Sequence, residues 1–279
     1  MPKTTTATLR AKKAEGTKVT MLTAYDFATA KLCDEAGIDV ILVGDSLGMT
    51  ILGYETTLPV TIDEMIHHTK AVVRATTDAM VIADMPFMSY QVSKKQAIEN
   101  AGRFMKETGC HAVKLEGGVE MAKSAQKVAA AGIPVCGHIG LTPQSVHQFG
   151  GYKVQGREVE QARTLLNDAE ALEEAGCFMI VLECVPAPLA RMVTERVSAV
   201  TIGIGAGVRC DGQVQVISDI LGMAGDRVPK HAKRYAEVGQ AICTAVGQYK
   251  SDVESEAFPA DANAFEMDEA VIAELRGEG

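Results

Sequence analysis

Tryptophan is absent from this chain of 279 residues, and aromatic residues make up only 5% of it. Proteins that bind single-stranded nucleic acid stack the bases on aromatic side chains, so this composition disfavours such a function. Positive charge is also scarce, because 27 Lys and Arg residues face 36 Asp and Glu residues, which gives a formal net charge of -9. Since a nucleic-acid-binding surface needs a basic patch, we expect no nucleic-acid partner.

Long apolar segments are missing as well. Residues 1–6 lack the hydrophobic core of a signal peptide, and no apolar run approaches the ~20 residues that span a bilayer. The seven cysteines are dispersed, odd in number and without a C-x-x-C pair. That pattern is typical of a reducing compartment rather than of a disulfide framework or a zinc site. We therefore expect a cytoplasmic protein without a membrane segment.

The chain is rich in apolar residues, at 47%, and they form short runs that alternate with helix-like segments. The runs are dense in Val, Ile and Leu, which is typical of parallel strands covered on both faces. Predicted strands cover 19–24, 40–45, 80–84, 112–116, 133–138, 179–183, 199–203 and, with a weaker pattern, 214–220. Eight such steps over about 250 residues predict an α/β protein with a (β/α)8 TIM barrel. A doubly wound sheet is the alternative.

No linker or internal repeat divides the sequence, so a single barrel domain over residues 1–250 is predicted, with a short N-terminal helix. An acidic C-terminal tail over 251–279 follows, with one short helix predicted at 271–276. Two glycine-containing loops, 47–59 and 150–156, are candidates for closing over a ligand.

Four predicted strands end in an acidic residue: Asp45, Asp84, Glu116 and Glu183. A carboxylate at the end of an apolar run is costly unless a metal, a proton or a hydrogen-bond partner is present there. Because strand ends of a barrel converge on one mouth, we expect the four acids to share one site. The alternative for any single one is a helix N-cap or turn residue.

Asp45, Asp84 and Glu116 come from neighbouring strands and offer hard oxygen ligands, with no His or Cys at ligand spacing nearby. Such a set suits Mg²⁺ better than zinc and leaves room for a substrate. Glu183 has apolar neighbours, and desolvation by them would favour a role as general base. The alternative for Glu183 is a buried carboxylate paired with Arg191.

Three further residues are candidates for the same site. Lys114 lies on the same strand face as Glu116, and is either an ion-pair partner or a clamp for an anionic substrate. His138 ends the fifth predicted strand, where it either donates to a substrate oxygen or is a satisfied core histidine. Ser46 either donates to a substrate carboxylate or occupies a simple turn.

Six motifs carry a resemblance to a known family. They are Leu22-Thr23-Ala24-Tyr25-Asp26, Val43-Gly44-Asp45-Ser46-Leu47-Gly48, Ala83-Asp84-Met85-Pro86-Phe87, Val113-Lys114-Leu115-Glu116-Gly117-Gly118, Gly137-His138-Ile139-Gly140-Leu141-Thr142-Pro143-Gln144 and Gly203-Ile204-Gly205-Ala206-Gly207. Together and in this order they resemble the ketopantoate hydroxymethyltransferase family, over about residues 3–250.

The resemblance implies a (β/α)8 barrel that binds a single Mg²⁺ per subunit through Asp45, Asp84 and Glu116. Its keto-acid contacts match Asp45, Ser46, Asp84 and Lys114, and its proton acceptor matches Glu183. The implied reaction transfers a hydroxymethyl group from 5,10-methylenetetrahydrofolate to 3-methyl-2-oxobutanoate through a Mg-stabilised enolate, which gives 2-dehydropantoate for pantothenate and coenzyme A synthesis. A homo-oligomer is also implied, as a decamer of paired pentamers.

Two other functions stay open. A lyase or mutase of the isocitrate-lyase kind is similar in fold and enolate chemistry, but those enzymes carry a basic pair before Cys-Gly-His, and Pro134-Val135 stands there in this chain. Cys136 is then interpreted as a small buried strand residue rather than a reactive thiol. The second alternative is a non-catalytic protein that binds a metal and a keto acid, which predicts binding without exchange of the C3 proton.

Overall fold

The structure, a computed structural model, describes residues 3–223, 225 and 229–277, and its strands close into a parallel barrel. The strands are β1 Val19–Thr23, β2 Val40–Val43, β3 Met80–Asp84, β4 Ala112–Glu116, β5 Val135–Gly140, β6 Met179–Glu183, β7 Val200–Ile204 and β8 Gly212–Gln215. Each strand pairs in parallel with the next one in sequence, and β8 pairs with β1. The predicted (β/α)8 barrel is confirmed, and the doubly wound sheet is excluded.

Most strands are followed by one or more helices, the first helix precedes β1, and the last two helices lie in the C-terminal segment. They are α1 Thr6–Glu15, α2 Phe27–Glu35, α3 Leu47–Thr50, α4 Ile62–Ala75, α5 Lys94–Thr108, α6 Val119–Ala129, α7 Val146–Phe149, α8 Val159–Glu174, α9 Ala187–Arg196, α10 Ile217–Ile220, α11 Val238–Glu254 and α12 Glu269–Arg276. Single 3₁₀ turns lie at Pro143–Ser145 and Asp261–Asn263. Helix α1 confirms the short N-terminal helix, and α12 confirms the helix predicted in the tail.

Local sequence explains where the helix α4 begins and which face it buries. The amide of Glu64 donates to Thr61 Oγ1 at 3.2 Å, and the amide of Thr61 donates to Glu64 Oε2 at 2.7 Å. This reciprocal capping box satisfies donors that the first turn leaves free. Met65, Thr69 and Val72 follow at helical spacing and are buried against the barrel.

The N-cap residue of helix α6 is a glycine, and the first turn is capped by a residue that is distant in the sequence. The glycine, Gly118, has no side chain, and Asp168 on α8 accepts the amide hydrogen of Val119 at 3.0 Å. A Cβ atom at position 118 would lie 2.0 Å from Asp168 Cγ, so only glycine allows α8 to approach this closely. The cap fixes the turn that follows the end of β4.

Two apolar layers meet along the strands. One face of each strand fills the barrel interior, where residues such as Val40, Ile82 and Cys136 are packed together. The other face, with residues such as Ile41 and Val113, packs against the helices. Burial raises the pKa of the Cys136 thiol, which supports its interpretation as a buried strand residue and not a nucleophile.

The eighth predicted strand was partly wrong. The structure places β8 at Gly212–Gln215 and folds residues 217–220 into α10. The amide of Ile217 donates to Thr23 Oγ1 at 3.0 Å, which draws the chain out of the sheet at that point. The pattern of residues 214–220 favours one strand, but four residues of strand and four of helix are too few for periodicity to distinguish them. The predicted loop 47–59 likewise contains the one-turn helix α3.

Helix α11 passes through residue 250 without a break, so the domain boundary placed there stays a prediction. Among the residues that the structure describes, no helix has both the length and the hydropathy needed to cross a membrane.

Candidate active site

The carboxyl ends of the strands bring most of the predicted site residues together. Asp84 and Glu116 end β3 and β4, Asp45 lies two residues after β2, and Glu183 ends β6. His138 lies within β5, opposite Glu116 in the ladder between β4 and β5. Parallel strands place these ends at one mouth of the barrel, which is where barrel enzymes carry their sites.

Two carboxylates contact the ammonium group of Lys114, and a third acid, Asp45, is hydrogen-bonded to one of them. Lys114 Nζ lies 3.0 Å from Asp84 Oδ1 and 3.7 Å from Glu116 Oε1, and the amide of Asp45 donates to Asp84 Oδ2 at 3.0 Å. All four residues are at most 5% exposed. Lys114 is therefore an ion-pair partner within the cluster, which was one of the two alternatives that the sequence left open for it.

Burial and crowding set the protonation of this cluster. Burial, together with the charges of Asp84 and Glu116, raises the pKa of Asp45 well above its usual range. Burial also raises the pKa of Asp84, against the opposing effect of Lys114. For Lys114 burial acts the other way, yet the neighbouring carboxylates raise its pKa. The cluster thus holds more negative groups than one lysine can balance.

His138 lies between two acidic residues. Its Nδ1 atom is 3.2 Å from Glu116 Oε1 and 3.5 Å from Lys114 Nζ, and its Nε2 atom is 3.3 Å from Glu183 Oε2. Neither glutamate contact has the geometry of a hydrogen bond. Burial and Lys114 oppose a charge on the ring, but the two glutamates raise the pKa of His138 to about 9. The two glutamates therefore favour the protonated form of the ring.

Glu183 is the most accessible acid of the group, with 17% of its side chain exposed. Its predicted alternative partner, Arg191, instead forms an ion pair with Glu195 at 2.7 Å. Glu183 contacts the His138 ring and is still partly exposed to solvent at the mouth. A ligand bound at the mouth can therefore contact its carboxylate.

The backbone around Glu183 is tightly packed. Gly140, opposite Glu183 in the ladder, has a φ of 93°, and a Cβ atom there would lie 2.3 Å from the Glu183 carbonyl oxygen. Cys184 has a φ of 49°, which is uncommon for a residue with a side chain. Its amide donates to Ile204, and its carbonyl accepts from the amide of Gln155 at 2.9 Å. The hydrogen bond from Gln155 thus joins the loop after α7 to the residue that follows Glu183.

Ser46 lies beside Asp45 and is bound to Tyr25, whose Oη is 2.8 Å from Ser46 Oγ. His68, which the sequence did not place near the site, has Nδ1 2.6 Å from the carbonyl oxygen of Tyr25. These contacts hold the end of β1 against the turn after β2 and orient the Ser46 hydroxyl.

The two loops predicted as candidates for closure touch each other. Tyr152 Oη lies 3.6 Å from the Met49 sulfur, so the loop after α7 contacts helix α3 within the segment 47–59. Since Met49 lies three residues after Ser46, this contact places Tyr152 near the mouth, and burial and the charge of Glu183 raise the pKa of Tyr152.

Sequence reasoning missed two residues beneath the acidic cluster, Gln144 and Tyr90. Gln144 Nε2 donates to Asp45 Oδ2 at 2.9 Å, and Tyr90 Oη accepts from the amide of Glu116 at 3.0 Å. Neither residue stands at a strand end, and no local pattern marks either of them. Gln144 belongs to one of the recognised motifs, which was the only available signal.

A divalent cation is compatible with the cluster, although in the described part of the chain no group of three or more His, Cys, Asp or Glu is arranged to hold a metal. Asp84 Oδ1 is buried and, despite its proximity to Lys114, receives no hydrogen bond of good geometry. Mg²⁺ is commonly bound by only one or two carboxylates, and takes its other ligands from water and substrate. Asp45, Asp84 and Glu116 offer such carboxylates. Each also has protein partners, which are Gln144 for Asp45, Lys114 and the Asp45 amide for Asp84, and His138 and Gln144 for Glu116.

The family model described as ketopantoate hydroxymethyltransferase matches residues 3–261. The chain belongs to this family. A 3-methyl-2-oxobutanoate hydroxymethyltransferase of Syntrophomonas wolfei subsp. wolfei is 56% identical over 275 residues, which are 99% of this chain and 100% of the relative. The protein of the same name from Acetivibrio thermocellus is 53% identical over 273 residues, which are 98% of this chain and 96% of the relative.

Solved structures outside the ketopantoate hydroxymethyltransferase family share the fold. Phosphonopyruvate hydrolase in complex with oxalate and Mg²⁺ has a TM-score of 0.61 at 13% identity, over 100% of this chain and 96% of that chain. 2,3-Dimethylmalate lyase, of the PEP mutase/isocitrate lyase superfamily, has a TM-score of 0.54 at 15% identity, over 98% of this chain and 94% of that one. These likenesses show the fold alone, so they give the lyase or mutase hypothesis no support.

Proposed function

We propose that the protein transfers a hydroxymethyl group from 5,10-methylenetetrahydrofolate to 3-methyl-2-oxobutanoate and forms 2-dehydropantoate, a step of pantothenate and coenzyme A synthesis. Full-length similarity to relatives that bear the corresponding name supports the reaction. The observation that carries the proposal is the buried cluster of Lys114 and three carboxylates, with His138 and the accessible Glu183 beside it. This arrangement provides a base next to a site for an anionic, chelating substrate.

Asp45, Asp84 and Glu116 would hold Mg²⁺, with Glu116 also in contact with His138. When bound, the cation would act as a Lewis acid on the keto acid and make its C3–H bond more acidic. Lys114 and the Ser46 hydroxyl would hold the substrate carboxylate, with the Lys114 ammonium group positioned by Asp84 and Glu116.

Glu183 would accept the proton from C3. The methylene carbon forms one bond to C3 and one to the oxygen of a water molecule, and both of its bonds to the folate nitrogens break. The protons lost by C3 and by the water go to those two nitrogens. The products are 2-dehydropantoate and tetrahydrofolate. His138, in its protonated form 3.3 Å from Glu183, would stabilise developing negative charge on a reacting oxygen.

Cytoplasmic location and assembly into a homo-oligomer are part of the same proposal. The dispersed cysteines favour a reducing compartment. A surface on α11, described in the Discussion, supports an assembly of identical chains. The decamer itself follows from the family resemblance alone.

Exchange of the C3 proton in deuterated water, followed by NMR, tests the role of Glu183. Glu183→Gln should bind 3-methyl-2-oxobutanoate normally but exchange the proton at least about 100-fold more slowly, because the base is lost. Glu195→Gln is the matched control, since Glu195 pairs with Arg191 on the surface of α9. Equal exchange in the Glu183 variant and the parent would contradict the assignment. Binding by the parent without any exchange would favour the non-catalytic alternative.

A further inference from the structure

Gln144 occupies a buried position between the ends of several strands. It lies in the 3₁₀ turn after β5 and is 5% exposed. Its side-chain amide nitrogen donates to Asp45 Oδ2 at 2.9 Å and to the Met85 carbonyl at 3.0 Å. Its side-chain oxygen accepts from Tyr90 Oη at 2.7 Å and from Gln91 Nε2 at 3.1 Å.

The orientation of this amide group is fixed by its neighbours. A backbone carbonyl such as that of Met85 can only accept, so the nitrogen of Gln144 must face it. The opposite orientation would also place two acceptors, the Gln144 oxygen and the Asp45 carboxylate, against each other. Both donors and both lone pairs of the Gln144 amide are therefore in use, and none remains for a substrate.

The backbone of Gln144 contacts a second carboxylate. Its amide donates to Glu116 Oε2 at 3.0 Å. Tyr90 supports the same region, because its hydroxyl donates to Gln144 and accepts from the amide of Glu116 at 3.0 Å. One residue after β5 thus determines the orientation of an acid after β2 and an acid at the end of β4.

We propose that Gln144 is a positioning residue that holds the carboxylates of Asp45 and Glu116 in the orientation in which the site binds a divalent cation. The inference rests on the proposed function, because that function assigns a cation to these acids. Residues that orient ligands in this way affect metal affinity without touching the metal. Gln144 acts through its neighbours, so its effect is on binding of the cation before any substrate is present.

Mg²⁺ binding to the purified metal-free protein, measured by calorimetry without keto acid, tests the proposal. Gln144→Met keeps the length of the side chain but removes all four side-chain hydrogen bonds, and should raise the Kd for Mg²⁺ by about 10- to 100-fold. Tyr90→Phe leaves the Gln144 contacts to Asp45 and Met85 in place, and should raise the Kd by a smaller factor.

A matched control separates positioning from a general loss of stability. Thr108→Val removes a buried hydroxyl that donates to the Phe104 carbonyl within α5, away from the mouth, and should leave the Kd unchanged. A parent-like Kd in a folded Gln144→Met variant would overturn the proposal. If that variant does not fold, an unchanged Kd in Tyr90→Phe would overturn it instead. If the parent itself binds no Mg²⁺, the cation of the proposed function fails, and the inference fails with it.

Discussion

The barrel mouth buries charged residues, whereas helix α11 exposes apolar ones, and both arrangements are unusual in a folded protein. At the mouth Asp45, Asp84, Lys114 and Glu116 are charged and almost completely buried. Along α11 no residue is buried. Buried charge is stable only with partners of opposite sign, and exposed apolar surface marks a place of interaction. The two regions therefore differ in the partner they require, which is ionic at the mouth and apolar at the helix.

The apolar residues of α11 form one stripe. Ile242, Val246, Tyr249 and Val253 follow at spacings of four, three and four residues, which places them on one face of the helix, and each is at least 44% exposed. An apolar helical face on a chain proposed to form homo-oligomers is a natural contact for a second copy of that chain.

The largest effect is expected from removing the Lys114 ammonium group from the carboxylate cluster. Lys114→Met leaves the buried carboxylate of Asp84 without its cation, and should lower the free energy of unfolding by about 3–5 kcal/mol in the absence of Mg²⁺. Added Mg²⁺ should restore part of that loss if the cluster binds it. Urea unfolding with and without Mg²⁺ measures both effects.

The control for this variant is Lys70→Met. Lys70 lies 3.9 Å from Glu107 in a solvent-exposed pair, and such pairs contribute at most about 1 kcal/mol. If Lys114→Met were no more destabilising than Lys70→Met, the mouth would not depend on ionic partners, and the contrast with α11 would fail.

Changes on the stripe of α11 should act on assembly and leave the fold of the barrel intact. Val246→Asp combined with Tyr249→Asp introduces charge into an apolar contact, so the mass in solution should fall to that of a smaller assembly. Light scattering coupled to size-exclusion chromatography measures this. Thr244→Asp, on the opposite face of α11, should leave the mass unchanged. A parent-like mass in the double variant would show that the stripe is not a contact between subunits.

Sequence patterns predicted the barrel because most strands are rich in apolar residues, and β3, β4 and β6 end at an acidic residue. Asp84, Glu116 and Glu183 could be found because they end those runs, and the parallel arrangement places run ends together. The eighth strand was harder, since Gly212–Gln215 carries only two buried residues and continues into the apolar helix α10. Four residues are too few for periodicity to separate a strand from a helix.

Gln144 and Tyr90 could not be predicted by the same reasoning. Gln144 lies 99 residues from Asp45 in the chain, and its contact with Asp45 exists only after β2 and β5 take their places in the barrel. The partner of Glu183 could not be predicted either, because it depends on which strands are neighbours in the folded barrel. Arg191 was the nearest candidate in sequence, but it bonds Glu195 one helical turn further on, and His138 from the adjacent strand meets Glu183 instead.

The smallest expected effect concerns His111. It tests whether neighbouring carboxylates, and not burial alone, set the pKa of a histidine at the barrel mouth. His111, at the other end of β4 from Glu116, accepts the amide hydrogen of Val81 at Nδ1, and burial lowers its pKa below 6.5. His138 is more deeply buried, yet its two glutamate neighbours raise its pKa to about 9. The same residue type thus shifts in opposite directions in the two environments.

Because the pKa of His111 is lower in the folded state, the unfolded chain takes up a proton first as the pH falls. The stability linked to His111 is present above pH 6.5 and is lost as the pH falls through the folded pKa. His111→Asn keeps an acceptor for Val81 but does not titrate, so urea unfolding of this variant should lose less stability between pH 7.5 and pH 5 than the parent does. An identical loss in both proteins would show that burial does not lower the pKa of His111. The contrast between the pKa values of His111 and His138 would then fail.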